Sequence, residues 1–112
     1  MTERPMRKFP RGTTKDAAPY IDLIQKFASG KIAAPEFETA YLLLFQSENK
    51  VLPDTVEQPL NDLFYAVDDY VEDPQLRADV NGLDDDQVRD RAASALRLLV
   101  AAVVETDPPN DN

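Results

Sequence analysis

The chain has 112 residues, with 12 Lys plus Arg against 21 Asp plus Glu, a formal net charge of −9, and no Cys, His or Trp. Those zeros exclude a disulfide framework, a thiolate zinc site, a cysteine nucleophile and any His-dependent triad within the chain, and they leave no imidazole for acid–base work near neutral pH. The length suits one domain, and an apolar fraction of 43% is enough for a real core.

Residues 1–15 carry Arg4, Arg7, Lys8, Arg11 and Lys15 against Glu3, with Pro5, Pro10 and Gly12 and no hydrophobic period. This composition predicts a basic, disordered or loosely packed tail. It leads into no apolar run with a cleavage site, so it does not read as a secretory signal. The folded unit is expected over residues 16–105, with a second polar, proline-broken tail over 106–112. A first helix is predicted from Ala17 to Ser29, with Asp16 as N-cap and Gly30 as the left-handed stop. Its stripe is Tyr20, Ile21, Leu23, Ile24, Phe27 and Ala28. A second helix starts near Pro35 and reaches about Glu48, burying Phe37, Ala40, Tyr41, Leu44 and Phe45. Glu36 and Glu38 suit the positive end of its macrodipole.

A third helix follows Pro53. Asp54 to Glu57 has capping-box spacing, and Pro59 is an alternative first turn. Leu60, Leu63, Phe64, Val67 and Val71 share its inner face, Pro74 is expected to end it, and a loop with Gly82 follows. A fourth helix is capped by Asp84 with Gln87 three residues on, and its stripe is Val88, Ala92, Ala95, Leu96, Leu99 and Val103. No strand pattern stands out. The expected fold is therefore all-α, an antiparallel four-helix bundle. The longest apolar block, Leu98 to Val104, is far too short to span a bilayer, so neither a membrane partner nor a membrane location is expected. With no cysteine and no signal, the expected compartment is the cytoplasm.

The charge is unevenly spread. Residues 54–90 hold twelve acids against Arg77 and Arg89, a local charge of −10. Such a field repels nucleic acid and membranes and attracts basic partners, although it also serves solubility alone. Metal chemistry fits poorly. Asp79-Val80-Asn81-Gly82 lacks the ligand spacing of a calcium loop, and the adjacent Asp84, Asp85 and Asp86 point in different directions on a helix. No cofactor, no metal and no enzymatic activity are expected. The outer face of the third helix is more telling. With Leu60, Leu63, Phe64 and Val67 inward, Asp62, Tyr65 and Asp69 share an outward strip that Glu72 and Asp73 extend and Asp68 borders. An exposed tyrosine among acids suits a binding face for a basic protein.

Residues 20–38, from Tyr20 through Gly30-Lys31 to Pro35-Glu36-Phe37-Glu38, resemble the opening of the colicin D immunity protein family. Leu63-Phe64, the following Asp68-Asp69-Tyr70 and Glu72-Asp73-Pro74, and Gly82-Leu83-Asp84 are similar to its later landmarks. The resemblance spans about residues 20–99. It implies a non-catalytic four-helix bundle that binds the C-terminal nuclease domain of a colicin or contact-dependent toxin. The type member blocks a ribonuclease that cuts transfer RNA, and its acidic residues occupy the cleft meant for the RNA backbone. By the same resemblance Asp68, Asp69, Glu72 and Asp73 would carry the contact here. The expectation is a toxin-binding immunity protein with Asp62, Tyr65, Asp68, Asp69, Glu72 and Asp73 as its face and no direct nucleic-acid contact. The alternatives are a small acidic helical adaptor or regulator docking a larger protein through an apolar groove, and a DNA-mimic inhibitor.

Overall fold

Caps and prolines set the helix limits. The computed structural model describes residues 11–106, so the expected tail residues 1–10 and 107–112 lie outside the described residues. A 3-10 turn, Thr14–Ala17, is capped by Thr13, whose side chain accepts from the Lys15 N–H. The Thr13 N–H in turn donates to the Asp16 carboxylate at 2.7 Å, a reciprocal box. Asp16 is therefore the third residue of a capped turn and not the N-cap of the first helix, a correction to the sequence reading. The α1 helix, Ala18–Ala28, follows directly, with Pro19 in its first turn. It stops at Gly30, whose φ is 85°. The Lys31 N–H reaches back to the Lys26 carbonyl and the Gly30 N–H to the Phe27 carbonyl, which closes the last turn in the Schellman pattern.

The α2 helix spans Ala34–Gln46, with Pro35 in its first turn. The α3 helix spans Asp54–Asp68 and keeps Pro59 inside it, where the missing N–H costs one intrahelical bond. It ends at Asp68 and not at Pro74. Pro74 instead opens a further helix, α4, Pro74–Val80, capped by the Asp73 carboxylate on the Gln75 N–H at 3.0 Å. This corrects the expected loop. Asn81 stops α4 in the left-handed conformation, φ 57°. The α5 helix, Asp85–Thr106, starts behind the predicted box, with Asp84 N–H to Gln87 Oε1 at 2.9 Å and Gln87 N–H to Asp84 Oδ1 at 2.8 Å.

The described residues are thus all-helical, with five α-helices and only two isolated β-bridges, Arg11 with Val51 and Tyr70 with Leu83. Arg11 to Lys15, expected in the tail, include the Gly12 N–H bonded to the Val51 carbonyl and a buried Thr14. The second bridge closes a clasp. The Val71 N–H donates to the Leu83 carbonyl and the Leu83 N–H to the Asp69 carbonyl, so the end of α3 and the start of α5 are tied while α4 loops out between them. Gly82 is required there by close approach: a Cβ would lie 2.6 Å from Val71 Cγ2 and 2.9 Å from the Asp69 carbonyl oxygen.

The core sits where α1, α2, α3 and α5 pack on one another. Tyr20, Ile24, Phe27, Phe37, Tyr41, Val56, Leu60, Leu63, Val67, Val88 and Leu99 are fully buried, while α4 buries nothing. Each large apolar side chain so buried contributes about 1.5–3 kcal/mol. Aromatic rings join the helices in series: Phe27 stacks on Phe37 at 4.3 Å, and contacts continue through Tyr41, Phe45 and Phe64 to Tyr65. Two buried phenols are tied across helices. Tyr41 donates to the Leu60 carbonyl at 2.7 Å, and Tyr20 donates to Glu48 at 2.8 Å.

Candidate functional site

All six sequence-predicted contact residues, Asp62, Tyr65, Asp68, Asp69, Glu72 and Asp73, are exposed. They do not form the single strip expected of them. Because α3 ends at Asp68, Glu72 and Asp73 lie on the turn before α4 and not on a continuing helix face. Asp73 also has a local task, since its carboxylate caps α4.

The turn redirects the acids toward neighbouring helices. Glu38, half-buried on α2, is raised above the usual carboxylate value by its burial and then by the charges of Glu72 and Asp68. Asp68 and Glu72 therefore converge with Glu38, a residue that the sequence reading placed only at a helix dipole. Tyr70 sits beside them with 6% of its surface exposed. Burial first, and then the carboxylates of Asp85, Glu72 and Glu38, push its phenol well above the ordinary range. Asp85 is brought there by the clasp, two residues beyond Leu83. This gathering of α2, the α3–α4 turn and the start of α5 depends on tertiary packing. The only sequence signal for it was the Asp73-Pro74 and Asn81-Gly82 punctuation, which marks a capped short helix.

Tyr65 and Asp62 face the other way. They line a groove of about 390 Å³ between α3 and α5, together with Pro59, Arg91, Ser94 and Leu98. Tyr65 is 65% exposed, and its ring meets that of its neighbour Phe64 edge-on at 5.6 Å. A neighbouring groove of about 460 Å³ continues past Pro59 and Leu98 to Asp54, Ala101 and Glu105.

Several basic side chains are engaged elsewhere, while Arg91 shares the α3–α5 groove with Asp62 and Tyr65. Among the described residues the ion pairs are Lys26–Asp22, Lys50–Asp16 and Arg89–Asp86, none of which involves a predicted contact residue. The Lys50 contact at 2.8 Å holds Asp16 below the usual carboxylate range. Arg77 lies nearest in sequence to the acidic turn, but it donates to the backbone carbonyls of Val71 and Glu72. Arg89 lies over the Phe27 ring, 4.6 Å from its centre, and donates to the Phe27 carbonyl. No three acidic side chains among the described residues converge closely enough to hold a metal ion. No helix among them is long and apolar enough to cross a membrane. What the arrangement offers chemically is a set of exposed carboxylates, one exposed tyrosine and a groove with apolar lining, which suits the capture of a basic protein surface.

The family model described as bacterial self-protective colicin-like immunity matches residues 17–99, from the end of the 3-10 turn to the middle of α5. No curated protein and no solved structure matches the chain.

Proposed function

The chain belongs to the bacterial self-protective colicin-like immunity family, and on that premise we propose that it neutralises a cognate nuclease toxin by covering the toxin's basic active-site cleft. The C-terminal nuclease domain of a colicin-type or contact-dependent inhibition toxin, one that cuts transfer RNA, is the partner we assign. A cleft built to hold RNA phosphates is lined with Lys and Arg. Carboxylates carried on a folded surface compete for the same cations without being cleaved. Complementary charge speeds the encounter, and a seated aromatic side chain slows release. The protein acts in the cytoplasm, where the RNA is, as a binder that performs no reaction and needs no cofactor. Its four longer helices, α1, α2, α3 and α5, serve as an antiparallel bundle that keeps the contact face rigid.

One observation carries this reading. Asp62, Asp68, Asp69 and Glu72 are exposed, as is Tyr65, and none of the four carboxylates is spent on an ion pair among the described residues. Co-expression tests it. The toxin domain should kill when expressed alone and be tolerated with this protein, and replacing both Asp68 and Asp69 with Lys should abolish protection. Protection that survives the double reversal removes the assigned face. Association should also slow steeply as salt rises, and a flat dependence removes steering.

The α3–α5 groove favours a second reading, a small acidic adaptor that docks a helix of a larger protein, because Leu98 is 56% exposed at the junction of its two halves. Asp68 and Asp69, which line neither half of the groove, separate the two: reversing both to Lys should abolish toxin protection and leave helix docking in the groove intact.

A further inference from the structure

We propose that the groove between α3 and α5 docks a basic amphipathic helix of a protein partner, one that carries Lys or Arg two turns apart with apolar side chains between them. This deepens the helix-docking reading of the groove and rests on it. The acidic turn assigned to the toxin stands or falls separately.

The groove has a continuous floor. Pro59 and Leu98 line both of its halves, of about 460 and 390 Å³. One half holds Asp54 with Glu105 and the other Tyr65 with Arg91, so the two wall helices run antiparallel. Between Asp54 and Tyr65 the α3 wall is three turns long, about 16 Å. Leu98 stands exposed at the middle, and the small side chains of Ala95, Ala101 and Ala102 leave room on either side of it. A trough of this shape suits a helix laid along it, with its apolar stripe on the floor. A helix also satisfies its own backbone hydrogen bonds, whereas an extended segment finds no strand edge along helical walls.

The walls choose the sign of the occupant. Three carboxylates, Asp54, Asp62 and Glu105, line the groove against the one guanidinium of Arg91. None of the three is in an ion pair among the described residues. Pro59 biases the site the same way. It has no N–H to give to the Thr55 carbonyl one turn back, and Thr55 lines the same half as Asp54 and Glu105. Two carboxylates and a carbonyl short of its usual donor call for N–H groups, which Lys and Arg bring. Asp54 and Asp62 are eight residues apart on α3, about 12 Å along its axis. Cations at i and i+7 of the docked helix lie about 10–11 Å apart on one face, and apolar residues at i+3 and i+4 then fall over Pro59 and Leu98.

The test uses the full chain, labelled with ¹⁵N and titrated at constant ionic strength with capped alanine-based helical peptides of about 18 residues. The parent peptide carries Lys at i and i+7 and Leu at i+3 and i+4; a second has Glu for both Lys, and a third has Ala for both Leu. The expected result is saturable movement of the Gln58, Tyr65, Ser94 and Leu98 amides with the parent, no saturation with the Glu peptide, and binding about tenfold weaker with the Ala peptide. Leu98→Ala should weaken the parent about tenfold and Asp54→Asn about threefold. Leu43→Ala, at a side chain equally exposed on α2 and outside the groove, should change nothing. No saturable binding of the parent, or binding unchanged in Leu98→Ala, overturns the proposal. Equal binding of the Glu peptide overturns the basic occupant and leaves helix docking standing. Self-association that Leu98→Ala abolishes would give the groove to a second copy of the chain. Tighter peptide binding once Arg4, Arg7 and Lys8 are replaced by Ser would give it to residues 1–10, and either result overturns the proposal. Peptide binding without protection against a toxin would refute the toxin reading and leave the groove assigned as here. Protection without peptide binding would do the reverse.

Discussion

Gly82→Ala tests the clasp from which the acidic junction is built. The added methyl would meet the Asp69 carbonyl oxygen at 2.9 Å and Val71 Cγ2 at 2.6 Å, and the first of these is backbone that cannot rotate away. Relief requires the two chain segments to part. That breaks the Val71 N–H to Leu83 bond at 3.0 Å and the Leu83 N–H to Asp69 bond at 2.8 Å. Each such bond is worth about 1 kcal/mol net. The unfolded alanine chain has less entropy to lose than glycine, which returns about 0.4–1 kcal/mol. The balance is a loss of about 1–2 kcal/mol, or roughly 5–10 °C in Tm for a domain of this size. Urea denaturation followed by far-ultraviolet circular dichroism reads the global part. Hydrogen exchange at the Val71 and Leu83 amides reads the local part, and protection there should collapse even where the global loss is small, because α4 buries nothing and can swing out alone. Gly12→Ala is the control, since its added methyl would meet only side-chain atoms, Leu52 Cδ2 at 2.9 Å, Asp16 Oδ2 at 3.0 Å and Lys50 Cβ at 3.3 Å. Unchanged stability together with unchanged Val71 and Leu83 protection in Gly82→Ala would refute the close-approach argument.

Three further outcomes are expected. Asp84→Ala removes one half of the box at the start of α5 and should cost about 1 kcal/mol in urea denaturation, with Gln87→Ala giving a similar loss and the double variant less than the sum. Glu38 has a folded-state value raised above its ordinary 4.5, so its contribution is fully present below that pH and is lost as pH rises through the raised value. Glu38→Gln should accordingly be more stable than the parent at neutral pH, with the advantage disappearing below about 4.5 in a pH series of thermal melts. Tyr65→Ala should weaken toxin binding by about 2 kcal/mol in calorimetry while leaving Tm unchanged, since the ring is mostly exposed and the core stripe does not include it.

The long helices were legible because their apolar positions recur at the helical period. Of the predicted stripes, Tyr20, Ile24 and Phe27, then Phe37 and Tyr41, then Leu60, Leu63 and Val67, then Val88, Ala92, Ala95 and Leu99 are buried, while Ile21, Leu23, Leu44, Phe45, Phe64, Leu96 and Val103 are only half-buried against them. Gly30 and the Asp84–Gln87 box were legible for a different reason, since their chemistry is local. The short α4 helix escaped because it has no inner face to leave a period; Leu76 and Val80 are both exposed. Pro74 then read as a stop, although Asp73 before it is a natural cap and a proline favours the first helical turn. The Thr13–Asp16 box was hidden by an aspartate in the place where a longer acid usually closes it. At the site, the exposure of Asp62, Tyr65 and Asp68 was predictable from the phase of α3, whereas Glu72 and Asp73 lie beyond its end. The approach of Glu38 to Asp68 and Glu72 was not, because it is made by two helices whose relative placement no local pattern encodes.

Glu38, Asp68 and Glu72, drawn near one another with no ion pair to any of them among the described residues, leave the free protein under self-repulsion. Added electrolyte should therefore tighten the isolated fold and, in the same solution, loosen its hold on a basic partner. On the proposed function, folding and capture should respond to ionic strength with opposite sign, and the repulsion felt at Glu38 in the unbound protein should fall when cations of a basic partner approach.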